Sequence, residues 1–423
     1  MDTIFALSSG SPPAGIAVVR VTGPRASAAL ETLAGRLPAA RRATAATLRG
    51  DDGEVLDRAL VLWLPGPGTA TGEDTAELHL HGGRAVVAAV ETALAAIPGL
   101  RRAEAGEFTR RAFVNGRIDL SEAEGLADLL SAETELQRRA AIAMADGALS
   151  RLVEGWRERL LHLSAMVEAA LDFDDEDDVG ELPSGFGDSV SALLGEIRTW
   201  LDRPCAEALK EGFRVVLGGS PNAGKSSLFN ALLENEAAII SPTPGTTRDV
   251  LERSVSIAGV AFTLVDTAGV RGETPDEIEA LGIARAREQF ARGDLVLWLG
   301  PEGEGPRDAW EIDAKVDATG DRKSCPKVRV SALSGQGLDE LKLRLVDEAR
   351  LALPRPGEAA LNKRQHDLLG DAFESLIDCR ANTDLLLVAE NLRMARVAFD
   401  KLIGRASTED MLDTLFGRFC IGK

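Results

Sequence analysis

The sequence predicts a chain of mixed fold class: an α+β N-terminal domain, then a helical domain that is interrupted by an inserted, doubly wound α/β domain. Residues 1–117 alternate short apolar runs such as "GIAVVRVTG" with Gly/Pro breaks, which is typical of strands and turns. Residues 118–211 repeat apolar positions at spacings of three and four, as amphipathic helices do. Residues 212–352 alternate apolar strands with helical segments, which favours a parallel sheet between helices.

These changes of pattern divide the chain into four segments. Residues 1–117 form the N-terminal domain, 118–211 the first part of the helical domain, 212–352 the inserted domain, and 353–423 the second helical part. The segment "LPRPGE" at 353–358 is a Pro-rich linker between the last two. Ser121 with Glu124 resembles a capping box at the first helix of the helical domain.

Composition excludes several classes of protein. No run of eighteen apolar residues occurs, so we expect no membrane span, and the start "MDTIFALSS" lacks the basic leader of a signal peptide. The cysteines Cys205, Cys325, Cys379 and Cys420 form no C-x-x-C pair, which argues against a zinc site or a disulfide framework. A reducing, cytoplasmic location fits this cysteine usage best.

Charge argues against generic binding to nucleic acid. The formal net charge is −19, so a contact with nucleic acid would need a local basic face. Arginine pairs occur at 101–102, 110–111 and 138–139, and each is interpreted as a solvated helix face. The acidic run at 172–180 is interpreted as a solvated loop rather than a cation site.

The stretch "GGSPNAGKSS" carries the strongest chemical signal. It matches G-x-x-x-x-G-K-[ST] with Gly219, Gly224, Lys225 and Ser226, and it follows a predicted strand and opens a predicted helix. Glycines allow successive backbone N–H groups to face phosphate oxygens, and the helix N-terminus adds positive potential. The lysine ammonium would meet the β and γ phosphates, and the serine hydroxyl would bind Mg²⁺.

Two further motifs extend this site. In "PGTTRD" at 244–249 a threonine, Thr247, can complete the Mg²⁺ shell and sense the γ-phosphate. In "DTAG" at 266–269 the Asp266 carboxylate would reach the metal through water, and the Gly269 N–H could meet the γ-phosphate. The three motifs in this order predict a nucleotide hydrolase.

The predicted base is guanine. A guanine site usually carries N-K-x-D, and this chain has "AKVD", with Lys315 and Asp317 present but Ala314 in place of the asparagine. The segment "VSALSG" at 330–335 follows and suits the loop that backs the guanine. Alone, "AKVD" could be an ordinary charged loop. Its place before "SAL" favours GTP, and Ala314 predicts weaker guanine binding.

Longer motifs resemble one family over essentially the whole chain. "PNAGKSSLFNAL", "PGTTRD" and "DTAGVR" resemble the TrmE–Era–EngA-like branch of translation-factor-type GTPases. "DTIFALSS", "TGEDTAELHLHGG", "GEFTRRAFVNGRIDLSEAEGLADLL", "VEAALDF" and the terminal "FCIGK" are similar to the MnmE (TrmE) family of tRNA modification GTPases. The resemblance makes the inserted domain a P-loop GTPase domain.

The resemblance implies a reaction and its partners. The family modifies C5 of the wobble uridine of tRNA with an aminomethyl or carboxymethylaminomethyl group. It acts as a homodimer with an FAD-dependent, MnmG-like protein in a heterotetramer, and residues 1–117 would be its folate-binding and dimerisation domain. The one-carbon donor would be 5-formyltetrahydrofolate or methylenetetrahydrofolate. Arg20, Glu77, Arg117 and Lys423 fall on the family's folate positions, and Arg117 is a departure because that position is usually lysine.

The C-terminal "CIGK" does not suit prenylation, since Gly422 and Lys423 occupy its last two places. The resemblance implies instead that Cys420 acts chemically near the folate. A buried structural thiol remains the alternative for Cys420.

The resemblance also implies a hydrolysis mechanism. Val270 stands where many GTPases carry the water-orienting glutamine, so the family's base, Glu279, would act on water. K⁺ would replace an arginine finger and promote dimerisation of the G domains. Its expected ligands are Asn222, Ser241, Thr243 and Thr246.

Taken together, the expected GTP contacts lie in four segments. They are Asn222, Ala223, Gly224, Lys225, Ser226, Ser227, Ser241, Thr246, Thr247, Asp266, Thr267, Ala268, Gly269, Lys315, Asp317, Ser331, Ala332 and Leu333. Two other functions remain open: an RNA-binding GTPase of ribosome assembly or translation, and a regulatory switch for a protein partner. Neither would need a folate pocket.

Overall fold

The computed structural model describes residues 2–172, 182–234, 237–238, 251–267, 287–318, 322–355, 357–406, 408–417 and 419–422. The chain forms two compact units. The first comprises residues 1–127, 149–154 and 399–423, and the second comprises 128–148 and 155–398. The acidic run at 172–180 lies, after its first residue, outside the described residues.

The first unit is built on a six-stranded sheet with the order β3-β4-β5-β2-β1-β6. Its strands are β1 (Thr3–Leu7), β2 (Ile16–Thr22), β3 (Thr44–Arg49), β4 (Val55–Leu64), β5 (Thr75–His81) and β6 (Leu100–Arg102). Neighbours are antiparallel except β1 and β6. In β4, Ala59, Val61 and Trp63 are buried while Arg58 and Leu60 are exposed, so one face of the sheet carries the core.

Helices cover this sheet. The helices α1 (Ala26–Ala34) and α2 (Arg84–Ala96) bury Leu30, Val90 and Leu94 in the sheet's main core. The helix α3 (Glu107–Val114) places Phe108 in a second cluster with Ile4 and Ala6 of β1. The α+β prediction for this part of the chain is therefore confirmed.

The end of the chain belongs to this unit. The last helix, α13 (Glu409–Phe416), contacts α3 through Phe113 and Phe416, whose ring centroids are 6.0 Å apart. Beyond it, Ile421 forms an antiparallel bridge with Ala105. The C-terminal residues therefore return to the sheet that begins the chain.

The predicted capping box was wrong. The helix α4 (Leu120–Ser131) already contains Ser121, which is buried and donates to the carbonyl of Leu402 at 3.1 Å. Asp119 and Glu122 make the reciprocal exchange instead: the Asp119 N–H donates to Glu122 at 2.8 Å and the Glu122 N–H to Asp119 at 2.9 Å. Ser121 serves a tertiary contact, which local sequence does not reveal.

The second unit contains a seven-stranded sheet with the order β13-β12-β11-β7-β10-β9-β8. Its strands are β7 (Phe213–Gly218), β8 (Ala237–Ala238), β9 (Leu251–Ile257), β10 (Val260–Asp266), β11 (Leu295–Trp298), β12 (Trp310–Asp313) and β13 (Val328–Arg329). The strands β10, β7, β11, β12 and β13 run parallel. The strands β8 to β10 lie on one side of β7, and the strands β11 to β13 lie on the other. The carboxyl end of β7 is therefore a switch point in the strand order, where α/β proteins bind ligands.

The remaining described helices agree with the predicted helical segments. They are α5 (Glu135–Ala145), α6 (Ala148–Asp172), α7 (Phe186–Leu201), α8 (Ala206–Glu211), α9 (Lys225–Leu233), α10 (Leu338–Ala352), α11 (Lys363–Ala381) and α12 (Leu385–Leu402). Residues 287–292 are also helical. Among the described residues no helix is both long and apolar enough to cross a membrane.

The arginine pairs are held by acids. Arg101 and Arg102 lie in strand β6 rather than on a helix, and Arg101 pairs with Asp2 at 2.5 Å and with Glu107 at 2.6 Å. The side chain of Arg111 is 12% exposed, so the prediction of a solvated position was wrong for it. Nearby carboxylates thus neutralise these charges, which therefore do not form an open basic face.

Candidate functional site

The loop between β7 and α9 has the geometry of a phosphate cradle. Gly219 has φ of 143°, and a Cβ there would lie 2.6 Å from the Gly300 nitrogen, so a side chain cannot fit. Gly224 has φ of 100° and forms the N-cap of α9. Glycine is the residue that adopts these backbone angles without strain, and the turn directs the helix N-terminus into the loop.

Lys225 lies over this loop. The residue is 8% exposed, and its Nζ donates to the carbonyl oxygens of Gly219 at 2.8 Å and Ser220 at 2.9 Å. Burial lowers the pKa of the Lys225 ammonium, and the charge of Asp266 opposes that effect. The ammonium is therefore held at the mouth of the cradle, where it can bind phosphate.

Strand β10 carries the next motif to the cradle. It pairs with β7 so that Asp266 stands opposite Leu217, and Asp266 is fully buried. The Thr267 hydroxyl donates to the Leu217 carbonyl at 2.8 Å, which joins this motif to the strand before the cradle. Ser226 and Ser227, in the first turn of α9, are exposed.

The segment 314–318 also contacts the cradle. Lys315 has φ of 60°, and its Nζ donates to the Asn222 carbonyl at 2.6 Å. A hydrogen bond from Ser331 holds the pKa of Asp317 below its usual range, with smaller contributions from the charges of Arg322 and Lys315. "AKVD" is thus joined to the phosphate loop and to the "SAL" segment, which an ordinary charged loop would not require.

The "SAL" segment, residues 331–333, presents an exposed apolar side chain beside the Asp317 carboxylate. Ser331 is fully buried and Ala332 half-buried, whereas Leu333 is 89% exposed. The Ser331 hydroxyl also accepts from the Ser334 N–H at 3.1 Å, which closes the turn. An exposed apolar residue at such a turn is available to cover a planar ring.

A second cluster lies on the sheet of the first unit. Arg20 of β2 stands opposite Glu77 of β5, and the Arg20 guanidinium donates to Glu77 at 3.0 and 3.1 Å. His79 Nε2 lies 3.1 Å from the other carboxylate oxygen. Burial raises the pKa of Glu77, but His79 and Arg20 outweigh it and hold that pKa below its usual range. Arg117 is exposed, beside Gly72.

The C-terminal segment docks at the end of β1. The Ser8 hydroxyl donates to the Gly422 carbonyl at 2.8 Å. Gly422 has φ of 92°, and a Cβ there would clash with the Leu7 carbonyl. Cys420 is exposed, so the alternative of a buried structural thiol was wrong. Because Ala6 stands opposite Arg20 in the sheet, the C-terminal segment reaches β1 close to the Arg20–Glu77 pair.

Several predicted site residues lie outside the described residues: Ser241, Thr243, Thr246, Thr247, Ala268, Gly269, Glu279 and Lys423. Three residues in or beside these clusters were missed by the sequence analysis, namely Ser8, His79 and Arg322. His79 follows Glu77 at the two-residue spacing that puts strand side chains on one face, a signal that could have identified it. Ser8 lies within "DTIFALSS", but nothing in that stretch indicates its partner, and Arg322 matches no motif.

Comparison with known proteins identifies the family. A model of the TrmE N-terminus, described as a GTP-binding protein, matches residues 3–117, and a model of the MnmE helical domain matches residues 120–420. The tRNA modification GTPase MnmE of Novosphingobium aromaticivorans is 63% identical over 435 residues, covering 100% of both chains. That of Erythrobacter litoralis is 62% identical over 424 residues, again covering 100% of both. The chain belongs to the MnmE family.

Membership of the MnmE family makes this chain a GTP hydrolase of tRNA modification, and the predicted function class is confirmed at that level. Among solved structures, the G domain of the T. maritima FeoB iron transporter matches with a TM-score of 0.24 and 25% identity. That match covers 32% of this chain and 98% of that one and is too weak for further inference.

Proposed function

We propose that this MnmE-family chain adds an aminomethyl or carboxymethylaminomethyl group to C5 of the wobble uridine of tRNA. It would act with an FAD-dependent, MnmG-like partner and use a folate as one-carbon donor. One observation supports the proposal most: the C-terminal segment with Cys420 meets β1 beside the Arg20–Glu77 pair. A GTPase that only bound RNA, or only switched a protein partner, would not need a folate pocket.

The Arg20–Glu77–His79 cluster has the donor set that a reduced folate requires. The low pKa of Glu77 keeps its carboxylate ionised, so it can accept from pterin N–H groups. Arg117 and Lys423 would supply positive charge for the glutamate carboxylates, and Arg20, which donates to Glu77, would orient that carboxylate toward the pterin. Folate supplies the one-carbon unit when bound, and these residues orient it. Cys420, exposed in the C-terminal segment that docks at β1, is the proposed nucleophile.

The G domain has residues that fit GTP with Mg²⁺. The cradle of residues 219–224 and Lys225 would hold the phosphates, and Lys315, Asp317 and the "SAL" segment the guanine. Ser226 is exposed in the first turn of α9, and Asp266 ends β10 opposite Leu217 of β7, so both residues lie where their strand and helix meet the cradle and would hold a cation there. Magnesium would neutralise phosphate charge there.

The potassium proposal rests on fewer residues. Of its expected ligands, Asn222 alone lies among the described residues, on an exposed turn with φ of 60°. K⁺ would neutralise charge between the β and γ phosphates and bring the two G domains of a homodimer together. Glu279 remains the predicted base for water.

Removing the Arg20 charge should weaken folate binding. Arg20→Met deletes a charge-assisted contact, so the Kd for 5-formyltetrahydrofolate should rise about tenfold or more in calorimetric titration. Arg102→Met is the matched control, because Arg102 makes a similar ion pair with Glu91 at 3.0 Å elsewhere in the unit. An unchanged Kd for Arg20→Met would remove Arg20 from the site, and absent binding by the parent protein would remove the folate proposal.

Potassium should accelerate hydrolysis. At equal ionic strength, kcat for GTP should be about tenfold or more higher in KCl than in NaCl, since the ion would do part of an arginine finger's work. Steady-state release of phosphate measures both rates. Equal rates in the two salts would refute a role for K⁺ while leaving the GTP site itself intact.

Nucleoside analysis tests the reaction as a whole. Transfer RNA from a strain lacking this gene should contain wobble uridine without the C5 group, and the parent gene should restore it. An unchanged nucleoside profile would contradict the proposed function and favour one of the other two GTPase roles.

A further inference from the structure

The guanine-recognition segment lacks one of its usual side chains. Asparagine offers two N–H donors and an acceptor, whereas Ala314 offers only a methyl group. Position 314 faces the phosphate loop, because the Ala314 Cβ lies 3.9 Å from the place a Cβ on Gly224 would occupy. An asparagine at this position could hydrogen-bond to that loop, and the methyl group of Ala314 cannot.

Arg322 contacts the same segment through its backbone. Its Nη2 donates to the carbonyl oxygens of Val316 at 2.9 Å and Ala318 at 2.6 Å, and its Nη1 donates to that of Lys315 at 3.3 Å. One planar guanidinium therefore engages three carbonyls within four residues. These are the residues on either side of Asp317, so the arginine sets the path of the backbone that presents this carboxylate.

A buried acid lies beside the arginine. Asp313, the last residue of β12, is 4% exposed, and its Oδ1 lies 3.7 Å from Arg322 Nη1. Arg329 lies on its other side, with Nε 3.5 Å from Oδ2. Arg322 itself is 37% exposed, so its guanidinium lies between this buried carboxylate and the surface loop. The charge of Arg322 also contributes to the low pKa of Asp317, after the larger effect of Ser331.

We propose that Arg322 is a positioning residue for guanine recognition and substitutes for the asparagine absent at position 314. It holds residues 315–318 in the conformation in which Asp317 accepts from guanine N1–H and N2–H₂. The inference rests on the proposed guanine site at Lys315 and Asp317. It adds a residue that no motif of the chain identifies.

Nucleotide titration of the full chain tests this role. Arg322→Gln should raise the Kd for N-methylanthraniloyl-GDP about tenfold, because three bonds from a charged donor are lost. The KM for GTP should rise similarly, with kcat at saturation within twofold. The preference for GDP over IDP should collapse, since IDP lacks the N2 amino group that a well-placed Asp317 detects. A merely structural loss would weaken both nucleotides equally and leave that preference intact.

Two variants provide the controls. Arg329→Gln also removes an arginine beside Asp313, but Arg329 donates to none of these three carbonyls. The affinity of the Arg329→Gln protein for N-methylanthraniloyl-GDP should therefore stay within twofold of the parent. Adding Ala314→Asn to Arg322→Gln should restore the affinity to within about threefold. If Arg322→Gln proves unstable by thermal circular dichroism, Arg322→Lys replaces it, and an intermediate loss of affinity is expected.

Each outcome decides a different point. An Arg322→Gln or Arg322→Lys protein that binds GDP within twofold of the parent would overturn the proposal. Failure of Ala314→Asn to restore affinity would overturn the claim that Arg322 substitutes for the asparagine. Asp317→Ala distinguishes failure of the proposed guanine site from failure of the role of Arg322. If Asp317→Ala leaves the GDP-over-IDP preference unchanged, the guanine site itself is misassigned. If Asp317→Ala abolishes that preference while Arg322→Gln does not, only the role of Arg322 fails.

Discussion

Replacing Lys225 by methionine should reduce kcat/KM for GTP by about 10²–10³, the usual effect of losing one preorganised charge at a transition state. The structure holds this ammonium over the loop by bonds to the carbonyls of Gly219 and Ser220, so the charge is positioned at the cradle before phosphate binds. Methionine preserves most of the volume of a residue that is 8% exposed. Single-turnover hydrolysis measures the loss of kcat/KM, and thermal unfolding measures whether the variant keeps the parental stability.

The control for Lys225→Met is the same substitution at Lys210. Lys210 lies in the same unit and forms an ion pair with Asp128 at 2.6 Å, away from the phosphate loop. Lys210→Met should hydrolyse GTP at the parental rate. A Lys225→Met protein that is folded and retains more than a fifth of parental kcat/KM would contradict the assignment of the phosphate site.

Substituting Gly422 by alanine should abolish most tRNA modification and spare GTP hydrolysis. The residue has φ of 92°, and a Cβ would collide with the Leu7 carbonyl. The left-handed conformation alone costs a non-glycine residue about 1–2 kcal/mol, and the collision adds to that cost. The C-terminal segment would therefore leave its place at β1. Modification should fall at least about tenfold, the ratio that corresponds to about 1.4 kcal/mol.

Gly35→Ala is the control for this backbone effect. Gly35 lies in the same unit with φ of 76°, but a Cβ there would meet no atom within 4 Å. The Gly35→Ala substitution imposes a similar conformational strain without moving the C-terminal segment, so tRNA modification should persist. Mass spectrometry of tRNA nucleosides from complemented strains gives the first readout, and GTP turnover by purified protein gives the second. Normal modification by Gly422→Ala would show that the docking of the C-terminal segment is dispensable.

The sequence by itself determined the phosphate cradle and the fold class. Gly219, Gly224 and Lys225 lie in one strand-loop-helix segment, so their separation along the chain determines their positions in the site. Alternation of buried and exposed residues likewise locates β4, because one face of that strand is buried, whereas a continuous apolar run locates β10 of the G domain, which is buried on both faces.

Only the tertiary structure decided which distant groups meet. Ser8 and Gly422 are 414 residues apart along the chain, and their hydrogen bond follows from how helices and strands pack. Ser121 was misassigned as a cap because its partner, the Leu402 carbonyl, lies 281 residues further along the chain. The exposure of Cys420 depends on where the C-terminal segment docks. Arg322 is close in sequence to the loop it holds, but backbone carbonyls are its partners, and every residue has one. A residue type therefore could not mark that contact, and only the folded path of the chain places those carbonyls around one guanidinium.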